Sequence, residues 1–304
     1  MAMQILARLC SLISPGKCKL RTWGKPLAQI ALALFPLGVW ANTSAPIQNP
    51  AHAPQRIISL APHVTELIYA AGAGHYLVGT VRSSDYPPAA TTLPKVGDGL
   101  HIDPETIVSL QPDLVLGWQT GATQSLAPIL ESLNIPLVHI NPKTLRDIPQ
   151  IIQEIGRLTG TNAQAGKTAA SIRQRLHSLR RLAPEAPVKV VLEINPTPLY
   201  VIGNEPLLND ALSYCNATNP FERAPQAAPL IGLENLLTQQ PDVIVVRNKP
   251  TQATNEHIAY LAGKGVDAAQ QNKIIRMNPD LLFRPGPRLV DAIEQLCAQL
   301  KTLR

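Results

Sequence analysis

The sequence predicts an α/β chain of two Rossmann-like lobes, each built on a parallel sheet, joined by a rigid backbone helix. Three observations predict it. Short apolar runs alternate with helical patterns, as βαβ units require. The segment Ile102-Asp-Pro-Glu105-Thr-Ile-Val-Ser-Leu-Gln-Pro-Asp113-Leu-Val-Leu-Gly117 recurs 129 residues later as Ile231-Gly-Leu-Glu234-Asn-Leu-Leu-Thr-Gln-Gln-Pro-Asp242-Val-Ile-Val-Val246, with the Ile, the Glu and the Gln-Pro-Asp identical. Between the two copies lies a long helical stretch with no Pro after Pro149.

The elements follow in order. Arg56–Leu60 reads as a strand, and His63–Ala71 as a helix with Val64, Leu67, Ile68 and Ala71 on one face. Further strands are expected at Leu77–Thr80, Leu114–Leu116 and Leu137–Ile140. The span from Leu145 to Leu182 is helical, with Gly160 separating two helices and Ala183-Pro184 stopping the second. Gly156, Gly160 and Gly166 each cost about 1 kcal/mol relative to Ala in a helix interior. A helix over Thr161–Leu182 would be about 33 Å long, roughly the width of a domain. The second half repeats the scheme: strands at Val188–Leu192, Val243–Val246 and Lys273–Arg276, and helices at Leu207–Tyr214 and Arg288–Leu303. The expected divisions are a signal at 1–41, an extended leader at 42–55, a first lobe at 56–157, a linking helix at 158–184 and a second lobe at 185–304.

Arg8, Lys17, Lys19, Arg21 and Lys25 precede an apolar run from Leu27 to Val39, and Val39-Trp40-Ala41 suits cleavage. A membrane anchor is the competing reading, but Pro36-Leu37-Gly38 breaks the run and it is short for about 30 Å of hydrocarbon. Cleavage also changes the charge. The 27 Lys and Arg against 21 Asp and Glu give +6; removing five basic residues and no acid leaves +1. The mature chain therefore shows no basic excess suited to nucleic acid. Of four cysteines, Cys10 and Cys18 lie in the signal, which leaves Cys215 and Cys297 as a pair in an exported chain. A disulfide between them is expected, with two buried thiols as the alternative. Export without a lipid anchor points to the periplasm of a two-membrane bacterium.

No nucleophile elbow, phosphate loop, dinucleotide fingerprint or paired metal-spaced histidines occur. The seven histidines are scattered, and His101, in a loop beside a helix start, has two readings: a group facing a cleft, or a solvated loop histidine. A hydrolase or metal-dependent enzyme is disfavoured and no catalytic residue is expected. The repeated Glu has two readings. Asp103-Pro104-Glu105 suits an N-cap, a Pro at the first helical position and an acid favoured by the helix dipole. Yet Gly232-Leu233-Glu234 lacks the Asp and Pro and keeps the acid, which tilts the reading toward a surface role.

Several segments together carry a resemblance: Arg56-Ile-Ile-Ser-Leu-Ala-Pro-His-Val-Thr-Glu66, Ser84-Asp-Tyr-Pro-Pro88, Val96-Gly-Asp98, Pro112-Asp-Leu-Val-Leu-Gly-Trp118 and Asp280-Leu-Leu-Phe-Arg284-Pro-Gly-Pro-Arg288. From Arg56 to the C-terminus the chain resembles the periplasmic vitamin B12-binding proteins of the iron-siderophore and cobalamin substrate-binding family. The resemblance implies a helical-backbone periplasmic binding protein that holds cobalamin or a related corrinoid as cargo between its lobes, with no cofactor or metal of its own. It implies delivery, as a monomer, to an inner-membrane ABC importer with a permease dimer and ATPase subunits. Glu105 and Glu234 match the acids that dock on permease arginines, and Cys215 and Cys297 match the family disulfide. For the ligand it implies Ser83, Tyr86, Trp118, Tyr200 and the segment Asp280, Leu281, Leu282, Phe283 and Arg284. Departures concern the aromatics. Ser83 stands where relatives have Tyr, Leu281 and Leu282 stand for Trp and Phe, and Trp is missing near Gly99 and Ala228. Corrin is broad with an amide fringe, so it suits apolar walls and a few polar groups at the edge. The thinned aromatic set keeps a second cargo open: haem, through His101 or Tyr86, or a ferric siderophore, through Arg82 and Arg284.

Overall fold

The computed structural model describes residues 53–118, 121–248 and 252–303. The expected signal and nearly all of the leader lie outside the described residues. The first sheet holds β1 (Ile57–Ser59), β2 (Leu77–Thr80), β3 (Leu114–Gly117) and β4 (Leu137–His139), all parallel, in the order β2-β1-β3-β4. Its helices are α1 (Pro62–Ala70), α2 (Pro104–Ser109) and α3 (Gly121–Ser132). Two helices follow, α4 (Asp147–Thr159) and α5 (Asn162–Leu182). The second sheet holds β5 (Val188–Pro196), β6 (Leu199–Val201), β7 (Ala217–Thr218), β8 (Val243–Arg247) and β9 (Ile274–Met277). Its order is β6-β5-β8-β9, with β7 also on β5; β7, β8 and β9 run parallel and β6 antiparallel. The remaining helices are α6 (Pro206–Tyr214), α7 (Leu233–Gln239), α8 (Gln252–Gly263), α9 (Asp267–Gln270), α10 (Pro279–Leu282) and α11 (Arg288–Thr302).

Alternation along the strands covers both faces of each sheet. Ile57, Leu114 and Leu116 face one way, and Ile58 and Val115 the other, under Ile107 of α2 and Leu126 and Leu130 of α3. In the second sheet Val190, Leu192, Val243 and Val245 share the first core, while Val191, Ile244 and Val246 pack with Leu236 and Leu261. One apolar core therefore runs from sheet to sheet, through Ile148, Ile152 and Ile155 of α4 and Ile172, Leu176 and Leu179 of α5. Arg175 on α5 adds ion pairs to Asp291 and Glu294 of α11. A disulfide joins Cys215, at the end of α6, to Cys297 on α11.

Gly160 ends α4 with φ 74°, the left-handed conformation glycine adopts freely, and so separates the two helices as the sequence predicts. Gly156 has a different reason. A Cβ there would lie 2.2 Å from the Cβ of buried Ala165, so its bare backbone lets α4 and α5 touch. Two expectations needed revision. The strand from Val188 runs on to Pro196, and β6 folds back on it as a hairpin that the short apolar run Leu199-Tyr-Val201 did not reveal. The last strand is Ile274–Met277 instead of Lys273–Arg276, because the Lys273 backbone N–H is taken by Ala268 at the turn before it.

The repeat is a structural equivalence: α2-β3 and α7-β8 occupy matching places beside β1 and β5. Gln111 and Gln240 both take left-handed backbone, φ 47° and 46°, which ends each helix and turns the chain into Pro-Asp. Asp113 then accepts from the backbone N–H of Gln55 and Arg56 at 2.7 and 3.0 Å. Asp242 accepts from that of Lys189 at 2.7 Å. Each Asp thus pins the start of the neighbouring strand, so Gln-Pro-Asp is used to build the fold.

Candidate functional site

In a parallel α/β sheet, ligands collect beyond the carboxyl ends of the strands. The segments that follow β2 and β9 meet there, since Arg284 reaches Asp85. The segment after β2 places Ser83, Asp85 and Tyr86 there. The end of β3 carries Trp118, and β9 leads into Asp280–Arg284. Buried hydroxyls fix the first of these segments: Thr65 donates to Ser59 at 2.8 Å and meets Ser84 at 2.9 Å. Ser84 is thereby held, and the exposed Ser83, Asp85 and Tyr86 around it are set in place.

Charged groups bridge the two lobes. Arg284 donates to both oxygens of Asp85, at 2.5 and 3.2 Å, to Asp280 at 2.8 Å, and lies 3.7 Å from Glu66. Arg288 donates to both oxygens of Glu66, at 2.6 and 2.9 Å, and its guanidinium stacks 4.2 Å from the centre of the Tyr86 ring. The Arg284 hydrogen bond holds the Asp85 carboxyl below the usual carboxylate range. Burial lifts the Glu66 carboxyl above that range, with Arg288 and Arg284 working against the rise. Three carboxylates and two guanidiniums therefore form one network between α1, the β2 loop, α10 and α11.

Beside it, Trp118 is 43% exposed and meets His63 edge-on, 5.4 Å between centroids. Its indole N–H points to Asn141 Oδ1 at 3.4 Å. His63 is buried, and its Nε2 has no hydrogen-bond partner among the described residues. Burial and the nearby Arg284 push its pKa down to about 3, so the imidazole is neutral at physiological pH.

On the second lobe Tyr200 of β6 is exposed, across an isolated antiparallel bridge from Leu230, which is 61% exposed. Sequence reasoning passed over Leu230, which lies two residues after Ala228. It also passed over Glu66, Arg288 and His63, all inside segments quoted for their resemblance. The Asp280–Arg284 segment divides. Asp280 and Arg284 join the ionic network, and Leu281 and Phe283 are partly buried against the main core. Leu282 is 1% exposed, because the one-turn helix α10 turns it inward against the main core. His101, the haem candidate, stands on an exposed loop 3.5 Å from Asp98.

Glu105 and Glu234 occupy the same helical position. Each is second after the N-cap, Asp103 in α2 and Gly232 in α7. Both are exposed, and neither carboxylate makes a hydrogen bond or ion pair among the described residues. Asp103 caps α2 through the backbone N–H groups of Glu105 and Thr106, so Glu105 is not needed for that. No helix among the described residues is long and apolar enough to cross a membrane, and no group of three metal-ligating side chains occurs among them.

Two lobes with a charged and partly aromatic cleft between them define a binding protein, and comparison with known proteins agrees. Residues 57–281 match the periplasmic binding protein family, and the chain belongs to it. It is 34% identical over 253 residues to the vitamin B12-binding protein of Pectobacterium carotovorum, covering 82% of this chain and 90% of that protein. The crystal structure of the periplasmic vitamin B12-binding protein of Vibrio cholerae superposes with a TM-score of 0.76 at 32% identity, covering 83% of this chain and 98% of that one. The periplasmic haem-binding protein of Roseiflexus sp. RS-1 superposes with a TM-score of 0.71 at 25% identity, covering 82% and 98%.

Proposed function

We propose that this chain captures cobalamin or a related corrinoid between its two lobes and hands it to an inner-membrane ABC importer. One observation carries the reading above the others: identity of 32–34% to vitamin B12-binding proteins across more than four-fifths of the chain. The cleft suits that cargo. Trp118 and Tyr200, with Leu230 beside the latter, offer apolar and aromatic faces for a flat macrocycle. Ser83, Asp280 and Arg284 offer polar groups for an amide fringe, and Tyr86 contributes an edge held by Arg288. The chain works in the periplasm after cleavage behind Ala41, and as a monomer. Its unpaired Glu105 and Glu234 dock on the two permease subunits, whose ATPases power transport.

Calorimetric titration of residues 42–304 with cyanocobalamin tests the cargo. Saturable one-site binding is expected at about 50 µM or below. No heat at that concentration would sink the corrinoid reading. Haemin in the parallel arm tests the second reading, which the haem-binding relative supports; haemin binding without corrinoid binding would replace the first reading by the second.

A further inference from the structure

A cavity lies outside the network of Glu66, Asp85, Asp280, Arg284 and Arg288. It is an open groove of about 710 Å³ between the start of α4, the middle of α5 and the end of α6. Arg146, Arg173, His177 and Arg180 line it, with Asp210 and Tyr214 from α6 opposite. Positions 173, 177 and 180 lie four and three apart on α5, so they form one stripe spanning about 10 Å of the helix axis. The whole of α5, Asn162–Leu182, carries Lys167, Arg173, Arg175, Arg180 and Arg181 and no acid.

The three arginines that line the groove have no acid partner among the described residues. Arg146 donates to the hydroxyl of Tyr214 at 3.2 Å, and Arg173 to the side-chain oxygen of Gln153. Both partners are neutral: they aim the guanidinium and leave its charge. Arg180 makes no side-chain hydrogen bond or ion pair among the described residues. The single acid in the wall, Asp210, accepts from the backbone N–H of Leu145 at 2.8 Å and keeps its charge, so three guanidiniums face one carboxylate. The contrast is on the same helix. Arg175, turned away from the groove, is matched by two carboxylates, Asp291 and Glu294. A concave surface with excess charge of one sign concentrates its field on what enters. Guanidinium groups bind phosphate and carboxylate through paired donors. The volume lies within the range of small-ligand sites.

We infer that the α4–α5–α6 groove is a second binding site, for a small polyanion carrying two or more phosphate or carboxylate groups. It is separate from the cleft and independent of the cargo. Because α6 belongs to the second lobe and α4 follows the first sheet, a bound polyanion touches both.

Calorimetry on residues 42–304 with pyrophosphate, citrate and inositol hexakisphosphate tests the site, at low and at physiological salt. The variants are Arg173→Gln/Arg180→Gln and, as an equal-charge control outside the groove, Arg181→Gln/Arg223→Gln. Circular dichroism and thermal midpoint report whether each variant is folded. The expected result is binding of at least one probe by the parent, weakened at least tenfold in the groove variant and less than twofold in the control. Salt should weaken it as well. No binding of any probe at millimolar concentration overturns the inference, as does equal weakening in the two variants. Binding to vesicles of anionic phospholipid without binding to any soluble probe also overturns it, by assigning the charge to a membrane surface.

Discussion

Arg284 reaches from the second lobe to Asp85 of the first and donates two hydrogen bonds to it, at 2.5 and 3.2 Å. The same guanidinium holds Asp280, and Arg288 one turn further on holds Glu66. The lobes are thus tied at the point where the proposed cargo would sit. The two ties differ in burial: the Glu66 side chain is 2% exposed and that of Asp85 54%.

That difference sets their energetics. Arg288→Met removes both hydrogen bonds from the buried Glu66 carboxylate, leaving only Arg284 at 3.7 Å, and should cost about 3 kcal/mol of unfolding free energy. Glu66→Gln combined with Arg288→Met should recover much of the loss, since no charge is left behind. Asp85→Asn should cost under about 1 kcal/mol, as water compensates an exposed acid. Urea titration followed by tryptophan fluorescence measures all three. Equal costs for Arg288→Met and Asp85→Asn would show that burial does not decide the matter.

His63 should make the fold sensitive to moderate acid. Its folded pKa of about 3 lies below the unfolded value of about 6.5, so the unfolded chain binds more protons between them. Stability from this group is complete above pH 6.5 and is lost as pH falls toward 3. Between pH 7 and pH 4.5 the loss from His63 should be on the order of 2–3 kcal/mol. His63→Phe keeps an edge-on ring against Trp118 and removes the titration. Its denaturation midpoint should change less over that pH range than the parent's; an equal slope in both would remove His63 as the cause.

The helix junction offers a paired test. Gly156→Ala places a Cβ 2.2 Å from that of Ala165 and should cost about 1–3 kcal/mol. Gly166→Ala, four residues after α5 begins at Asn162, meets open space and should stabilise by about 0.5–1 kcal/mol. Thermal melts of the two variants should move in opposite directions.

These two glycines also mark what the sequence conveys. Both read there as the same local cost in a helix, because propensity is a property of one segment. Only the crossing of α4 on α5 separates them. The strands and the equivalence of α2-β3 with α7-β8 were legible because period and repetition are local patterns. The hairpin β5-β6 was not, since three residues carry too little pattern. The Glu66–Arg288 pair spans 222 positions and left no periodic trace. The burial of Leu282 was hidden for another reason: matching a segment by resemblance transfers its position in the chain, and the turn of α10 decides which of its side chains points inward.

The repeated acid is the feature whose role can be separated most cleanly. In its purely structural reading, a Glu in the first helical turn stabilises its own helix by about 0.3–1 kcal/mol through the dipole, and nothing more. In the docking reading it also meets a cation on the importer. Glu105→Arg and Glu234→Arg therefore each cost a little stability on either reading, and thermal melts measure that part. Binding to the importer in detergent or nanodiscs measures the other. Reversing a rim charge replaces an attraction by a repulsion and should weaken the complex about tenfold or more, with the weakening reduced at high salt. Cargo affinity should stay within about twofold, because neither carboxylate touches the cleft network. The two acids occupy equivalent positions on equivalent helices, so a partner with two-fold symmetry requires losses of similar size from the two variants. A large loss from one and none from the other would leave the second Glu as a helix start alone and would remove the symmetric dock.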